Sequence, residues 1–298
     1  LDCTFIAMKE ATKNSYNEAI NRVVDYVNIH LKEEINLPAI SEVANLSEFH
    51  FHRIFKAFIG ESLGSYVNRI RLERAAQLLQ TSQKTLEQIA EIVGYSTPFS
   101  FSKAFKKHFG VAPTTFRNTQ PFFPIKEEMR THPLMELKWE KRSVEELEIL
   151  YLRISGEYGV AVNYDEAWNS LIRFGNENRL INERTQYIGI SHDDPGLTTA
   201  DKRRFYACIT VAPSTKPKGP FGRLKLEAGD YAVFTLKGSY KQLETYYQSV
   251  FFSWLPASGY HLRNAHLFEK YLNSPDEVEA SDLLTEIYIP IGKNDDKF

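Results

Sequence analysis

Arg53 and Lys103 stand fifty residues apart inside two segments that share one pattern of aromatic and basic residues. In the first, Phe51, Ile54 and Phe55 fall on one face of a helix over 48–58, leaving Glu48, Phe49, His52, Arg53 and Lys56 on the others. In the second, Phe101, Ala104, Phe105 and Phe109 fall inward and turn Pro98, Phe99, Ser100 and Lys103 outward. A guanidinium can hydrogen-bond guanine O6 and N7 together, an ammonium a base or phosphate, a hydroxyl a base edge, and an aromatic ring can pack on a thymine methyl. Arg53, Lys103, Ser100, Phe49 and Phe99 carry those groups, His52 suits a base edge or phosphate, and Lys106-Lys107-His108 with Arg117 suit phosphates. His50 and His52 do not share a helix face and have no cysteine or carboxylate to complete a set, so no metal site is expected.

A second constellation lies near the end of the chain. Strand alternation over 285–291 puts Glu286 and Tyr288 on one face and Ile287 and Ile289 on the other, and the isoleucines suit a helix-covered side. Glu286 and Tyr288 are therefore expected to face a cleft, joined through an internal repeat by Tyr206 and Cys208 and lined further by Tyr164, Trp168, Phe221, Tyr247 and Trp254. A carboxylate enclosed by aromatic rings is satisfied by a cationic ligand, to which the rings add cation–π attraction.

The elements that must position these residues are repeats. Leu37-Pro-Ala-Ile40-Ser41-Glu-Val43-Ala44, then Phe51 to Lys56, then Gly60, matches Leu86-Glu-Gln-Ile89-Ala90-Glu-Ile92-Val93, then Phe101 to Lys106, then Gly110. Each copy reads as a helix-turn-helix, with Thr97 as N-cap, Pro98 in the first turn and Gly60 and Gly110 as C-terminal caps. Between them, 62–80 reads as one helix of roughly 27 Å. Such a rod can hold two recognition helices about one turn of B-DNA apart, roughly 34 Å.

Pro121-Phe-Phe-Pro124 ends the helical pattern and a polar stretch follows to Pro133. Strands are expected at 135–142, 148–155, 186–191, 205–211, 223–227, 231–237 and 286–291. This part repeats as well: 152–158 with a helix at 164–173 parallels 234–240 with a helix at 243–255, and 205–211 parallels 285–291. The expected fold is multidomain: an all-α double helix-turn-helix domain over 1–120, a linker over 121–133, and an α+β domain over 134–298 made of two similar halves around a cleft.

Composition agrees with that division. The net charge of −2 hides an asymmetry: residues 50–120 carry ten Lys/Arg against four Asp/Glu, whereas 121–298 carry 22 against 26. No apolar run is long enough to span a membrane, and Leu1-Asp-Cys-Thr-Phe-Ile6 has neither the basic flank nor the apolar core of a signal peptide. Cys3 and Cys208 stand far apart, so a reducing cytoplasm is expected, with no membrane partner and no cofactor.

The stretch Gly94-Tyr-Ser-Thr-Pro-Phe-Ser-Phe-Ser-Lys-Ala-Phe-Lys-Lys-His-Phe-Gly-Val-Ala-Pro-Thr-Thr-Phe-Arg117, with the earlier copy and the Arg71-Leu72 helix, resembles the AraC/XylS family over 16–118. Ser41 departs from the alanine usual there. The closing Thr285-Glu-Ile-Tyr-Ile-Pro-Ile291, the Gly156-x-Tyr158 and Gly238-x-Tyr240 turns and Trp254-Leu-Pro-Ala-Ser-Gly259 resemble the GyrI-like effector domain over 134–293. The first resemblance implies a bacterial transcription regulator on double-stranded DNA, with Phe49, His52 and Arg53 in the major groove and RNA polymerase open as a further partner. The second implies a bulky aromatic or cationic small-molecule effector in an aromatic-lined cleft, often with a last-strand glutamate. Some GyrI-like proteins hydrolyse small molecules, so a hydrolase with Glu286 as general base is the competing reading, and a protein-docking module a third. No Ser-His-Asp, Walker or zinc-hydrolase pattern supports catalysis, and a non-enzyme is expected.

Overall fold

A computed structural model describes residues 2–119, 137–156, 161–193 and 197–293. The expected linker over 121–133, and Tyr158, lie outside them. Contacts divide the chain into two units, Leu1–Phe122 with Lys218–Gly222, and Phe123–Pro217 with Arg223–Phe298.

The first unit is helical: α1 (Asp2–Ile29), α2 (Leu37–Ala44), α3 (Glu48–Ile59), α4 (Leu63–Thr81), α5 (Leu86–Ile92), α6 (Pro98–Phe109) and α7 (Pro113–Thr119). Local chemistry sets where these helices start and stop. Asn36, Ser47, Ser62, Thr85 and Thr97 each present a side-chain oxygen to an orphan N–H of the first turn, and Thr85 with Gln88 forms a capping box. At the other end of α3 and α6, Gly60 and Gly110 adopt φ of +83° and +79° and donate their N–H to Lys56 O and Lys106 O, both at 2.9 Å.

Aromatic side chains hold these helices. Phe51 and Phe55 of α3 pack with Val23, Val24 and Val27 of α1, Ile40 of α2 and Tyr66 of α4. Phe101 and Phe105 are equally buried in the second copy, where Phe105 meets Phe116 of α7 edge to face at 5.2 Å. Each such ring stabilises its helix by roughly 1.5–3 kcal/mol. The expected rod over 62–80 is α4, and its arginines tie the unit together. Arg69 is buried between Glu61 (2.7 Å) and Glu73 (3.2 Å), and Arg71 donates to Leu31 O and Glu33 O. Arg117, expected on phosphates, instead donates to Leu79 O (3.3 Å) and Lys84 O (2.5 Å); these carbonyls near the end of α4 draw the guanidinium inward.

The second unit contains β1 (Trp139–Val144), β2 (Leu147–Ser155), α8 (Ala161–Glu177), β3 (Tyr187–Ser191), β4 (Arg204–Thr210), β5 (Phe221–Leu226), β6 (Gly229–Lys237), α9 (Leu243–Ser249), a π-helical stretch leading to α10 (Leu255–Ser258), β7 (Tyr260–Leu262), β8 (Phe268–Tyr271) and β9 (Leu284–Lys293). The first two residues of β5, Phe221 and Gly222, group by contact with the first unit. The sheet order is β1-β6-β9-β8-β3-β4-β2-β5, with β7 added to β9. Two similar three-strand groups, β6-β9-β8 and β3-β4-β2, meet where β3 pairs antiparallel with β8.

β1 and β2 stand toward opposite ends of that order, yet only Glu145 and Glu146 separate them, and only Glu227 and Ala228 separate β5 from β6. Three residue steps reach about 11 Å at most, so the sheet must curl until its ends meet. Its inner face is filled by Ile149, Tyr151, Ile188, Tyr206, Cys208, Tyr231, Phe268 and Tyr288. The other face is covered by α8 and α9, where Tyr164 lies 4.6 Å from Phe205 and the Tyr246 hydroxyl donates to Thr235 O.

Two strands, β7 and β8, were not expected from alternation, and β8 proves the important one. Elsewhere the expected strands are present within one or two residues at most ends; Met135 and Glu136 fall outside the described residues.

Ser41, the departure from alanine in the first helix-turn-helix, is 4% exposed and its hydroxyl has no hydrogen-bond partner among the described residues. An unsatisfied buried hydroxyl is a net cost. Ser41→Ala is expected to stabilise the helical unit by about 1 kcal/mol, read from its denaturant midpoint at unchanged slope; a loss of stability would contradict this account.

Candidate functional site

α3 and α6 have the same length, the same type of N-cap and the same glycine C-cap, so residues fifty apart occupy equivalent positions. Glu48, His52, Arg53 and Lys56 are exposed on α3, and Lys103, Lys106 and Lys107 on α6, while Pro98 and Ser100 are half-buried. Phe99 is 79% exposed, although an aromatic ring of that size is normally covered. The Phe49 side chain lies outside the described ones. Ser100, expected at a base edge, is engaged in the cap: its hydroxyl donates to Thr97 O at 2.8 Å and accepts from the Thr97 hydroxyl at 3.0 Å.

The expected cleft residues are divided by the sheet. Glu286, Tyr288 and Tyr206 are on the inner face, as alternation and the repeat required. Tyr164, Trp168 and Tyr247 come from α8 and α9 on the opposite face. Trp254 packs beside them in another cluster, 4.8 Å from Trp139 and 4.9 Å from Phe234, and Phe221 is buried at the start of β5. One cleft holding all eight is therefore not formed, because helices can cover only one side of this sheet.

Glu286 is also not the carboxylate in need of a cation. Arg142 of β1 donates to both of its oxygens at 3.1 Å, to the Tyr288 hydroxyl at 2.6 Å and to Glu140. Tyr288 donates to Glu286 at 2.8 Å. Burial opposes the Arg142 charge, but Glu140, Tyr288 and Glu286 outweigh it and hold the guanidinium firmly protonated.

Among the described residues, the buried carboxylate on the helix-covered face is Glu269 of β8, which sequence reasoning missed. It is 4% exposed and accepts from the Tyr247 hydroxyl at 2.9 Å and the Tyr271 hydroxyl at 2.6 Å. Trp168 of α8 and Tyr240 meet the Tyr271 ring edge-on at 5.6 and 5.4 Å. Directly across the β3·β8 pairing stands Gly189, where a Cβ would collide with the Tyr271 hydroxyl and the Phe205 ring. The missing side chain at 189 is what lets Tyr271 reach Glu269. Burial pushes the Glu269 carboxyl above its ordinary value, against the two phenols that stabilise its anion. Burial and the neighbouring Glu269 push Tyr271 well above the phenol range and Tyr240 up to about 12. The site is thus a buried acid in an aromatic and phenolic enclosure, able to pair with a cation once ionised.

The repeat carried the signal that would have found it. The offset relating 205–211 to 285–291, applied to the strand at 186–191, lands on 266–271.

A family model described as a GyrI-like small molecule binding domain matches residues 138–292, and one described as a helix-turn-helix domain matches 40–119. LumQ of Photobacterium leiognathi, named a probable transcriptional regulator, is 37% identical over 102 residues, 34% of this chain and 41% of that protein. The transcriptional regulator Rob of Salmonella typhimurium is 24% identical over 283 residues, 89% of this chain and 94% of that one. The multiple antibiotic resistance protein MarA of Escherichia coli is 29% identical over 107 residues, 36% of this chain and 84% of that one. The chain spans 41%, 38% and 37% of the length of the first curated relatives it matches. Among the described residues no helix is long and apolar enough to cross a membrane.

The Glu269 environment predicts a pH dependence. Because burial raises its pKa, the folded protein keeps this proton where the unfolded chain, with a carboxyl near about 4.3, has lost it. Stability from this group is present below that value and lost as pH rises through the folded one. Glu269→Gln removes the titration, so its stability relative to the parent should increase as pH rises from about 4 toward neutrality. Parallel denaturation curves across that range check this, and a constant difference would contradict it.

Proposed function

The chain belongs to the GyrI-like small-molecule-binding family and carries an AraC-type helix-turn-helix domain ahead of it, and from that premise we propose that it is a DNA-binding transcription regulator whose second domain binds a small hydrophobic or cationic effector. The observation that carries the DNA part is the equivalence of α3 and α6: matched caps and matched buried rings, with Arg53 and Lys103 exposed at corresponding positions. In this reading Arg53 pairs with a guanine edge, Lys103 takes a base or phosphate, and the exposed Phe99 ring packs on a thymine methyl. Lys56, Lys106 and Lys107 hold phosphates and set the register. The 19 residues of α4 span about 28 Å, which suits two helices in successive major-groove segments. The protein then works in the cytoplasm, on transcription by RNA polymerase.

For the effector, support comes from Glu269. A hydrophobic cation entering between α8 and α9 would exchange the phenol hydrogen bonds for an ion pair, while Trp168, Tyr240, Tyr247 and Tyr271 supply ring faces. Binding regulates only if the conformations that do and do not hold DNA differ in their affinity for the effector. The description of the matched family as a binding domain, and the naming of LumQ and Rob as regulators, favour sensing over hydrolysis.

Two experiments test this reading. After selection of bound fragments from genomic DNA, the combined Arg53→Ala and Lys103→Ala change should weaken binding to the selected site at least about tenfold; unchanged affinity would sink two-helix readout. With a panel of hydrophobic cations followed by calorimetry, Glu269→Gln should abolish saturable binding and Glu286→Gln should leave it. The reverse pattern would return the site to the inner face.

A further inference from the structure

The two helix-turn-helix copies correspond residue for residue at their turns, and one position breaks the symmetry. Asn45 of the first turn stands forty-nine residues before Gly94 of the second. The hydrogen bonds agree: Asn45 N–H donates to Glu42 O (2.9 Å) and Leu46 N–H to Ser41 O (3.0 Å), as Gly94 N–H donates to Glu91 O (3.1 Å) and Tyr95 N–H to Ala90 O (2.8 Å). Both positions are left-handed, with φ of +56° and +77°. Asparagine tolerates that conformation, so φ alone does not demand a glycine at 94. Crowding does: a Cβ there would collide with Leu31 O and with the Arg71 guanidinium.

The arginines near these turns correspond as well, since Arg22 of α1 stands forty-nine residues before Arg71 of α4. Arg22 stays within its own copy. Its Nε and Nη2 donate to Val43 O (3.1 Å) and Ala44 O (3.0 Å), carbonyls left over at the end of α2. Arg71 crosses to the other copy. Packed on Gly94, it donates through Nε to Leu31 O (3.0 Å) and through Nη2 to Glu33 O (2.7 Å), in the turn between α1 and α2. The Leu31 side chain packs on the core of the first copy, so the carbonyl that takes Arg71 is anchored there. Two further ties lie at the same junction: Lys32 Nζ meets Glu91 of α5 at 2.7 Å, and the Tyr95 hydroxyl donates to Asn68 of α4 at 2.7 Å. The Lys32 pair is exposed and contributes little. A planar, charged donor shared by two carbonyls is the stiff element.

We propose that Arg71 is a positioning residue for DNA recognition: by fastening the second turn to the first copy it fixes α6 relative to α3, and with it the spacing of the two DNA segments that the protein accepts. The inference rests on the two-helix reading above. Arg117 holds the connection from α4 to α5 through Leu79 O and Lys84 O, which leaves the far end of α5 to be placed by Gly94 and Arg71. α6 begins three residues beyond Gly94, so a shift of that turn is passed to the recognition helix directly. On B-DNA one base pair moves the second segment by about 3.4 Å and turns it by about 35°. A fastened α6 cannot follow that displacement, and a released one can.

The test uses the full chain and a fragment selected from genomic DNA, its two contacted segments located by footprinting, with one base pair then inserted or removed between them. Affinities are read by fluorescence anisotropy. The parent should lose at least about tenfold on either change, the order of one mismatched base pair. In Arg71→Met that penalty should shrink to about threefold or less, half the parent's on a logarithmic scale, because the selected fragment binds more weakly and the altered ones do not. A merely structural role would weaken all fragments alike and leave the ratio unchanged. Arg71→Lys keeps the charge but reaches one carbonyl in place of two, so its ratio should fall between; it replaces the methionine variant if circular dichroism shows that one unfolded. A parent indifferent to spacing, or a folded variant that keeps the parent's ratio, would overturn the proposal. If Arg53→Ala with Lys103→Ala weakens binding while the Arg71 ratio is unchanged, this proposal alone fails; if that pair has no effect, the two-helix reading fails and this one with it.

Discussion

A β-strand offers its side chains two faces and no third, and the chemistry of the second unit follows from that constraint. β8 is paired on both sides, Glu269 opposite Ile287 of β9 and Gly189 of β3. This register sends Glu269 and Tyr271 to the helix-covered face and Phe268 and Lys270 to the inner one. A slip by one residue would exchange them, placing a carboxylate among Tyr231 and Tyr288 and a phenylalanine beneath Tyr247. The pairing is therefore as much a part of the site as the side chains, and the bare position at Gly189 belongs to both.

The two glutamates on adjacent strands show how differently one residue type can be satisfied. Glu286 meets a guanidinium that contacts both oxygens, so its charge is balanced within the protein. Among the described residues Glu269 has only phenols, neutral donors that stabilise an anion less than a cation would. Leaving a carboxylate in that state costs stability that the protein could avoid with a glutamine. The balance shifts when an external cation supplies the missing charge, which is why an incompletely satisfied acid in an aromatic enclosure is better suited to sensing than a complete ion pair.

The helical unit was legible in the sequence almost residue by residue, because local signals and tertiary burial agree there. Thr97, Pro98, Gly60 and Gly110 act where their chemistry says they should, and the rings assigned inward at 51, 55, 101 and 105 are fully buried. In the second unit the repeat and most strands were legible, but the buried carboxylate of β8 was not. β8 is four residues long, and its Glu-Lys centre resembles a polar turn when read alone. Its hydrophobicity does not reveal it; its two partners do. The assignment to Glu286 followed from correct alternation, yet could not know that Arg142, 144 residues away, would occupy the cleft side of that strand. Likewise Arg117 looked like a phosphate contact until two carbonyls 33 and 38 residues away claimed it.

These contrasts separate two ways of building a recognition surface. In α3 and α6 the residues that hold the helix and those that face outward are different sets, since caps and inward rings fix the element while Arg53, His52, Lys103 and Phe99 make no contribution to its core. Specificity for a nucleic acid can then change by substitution at exposed positions with stability changes of a few tenths of a kcal/mol. In β8 no such separation exists. Tyr271 is at once a half-buried ring in the packing of α8, a donor to Glu269 and the reason residue 189 must lack a side chain. Altering ligand preference at the proposed site would disturb packing, so in that reading variation falls on the partly exposed rings brought by the helices, Trp168, Tyr240 and Tyr247, while the acid beneath them stays tied to the sheet.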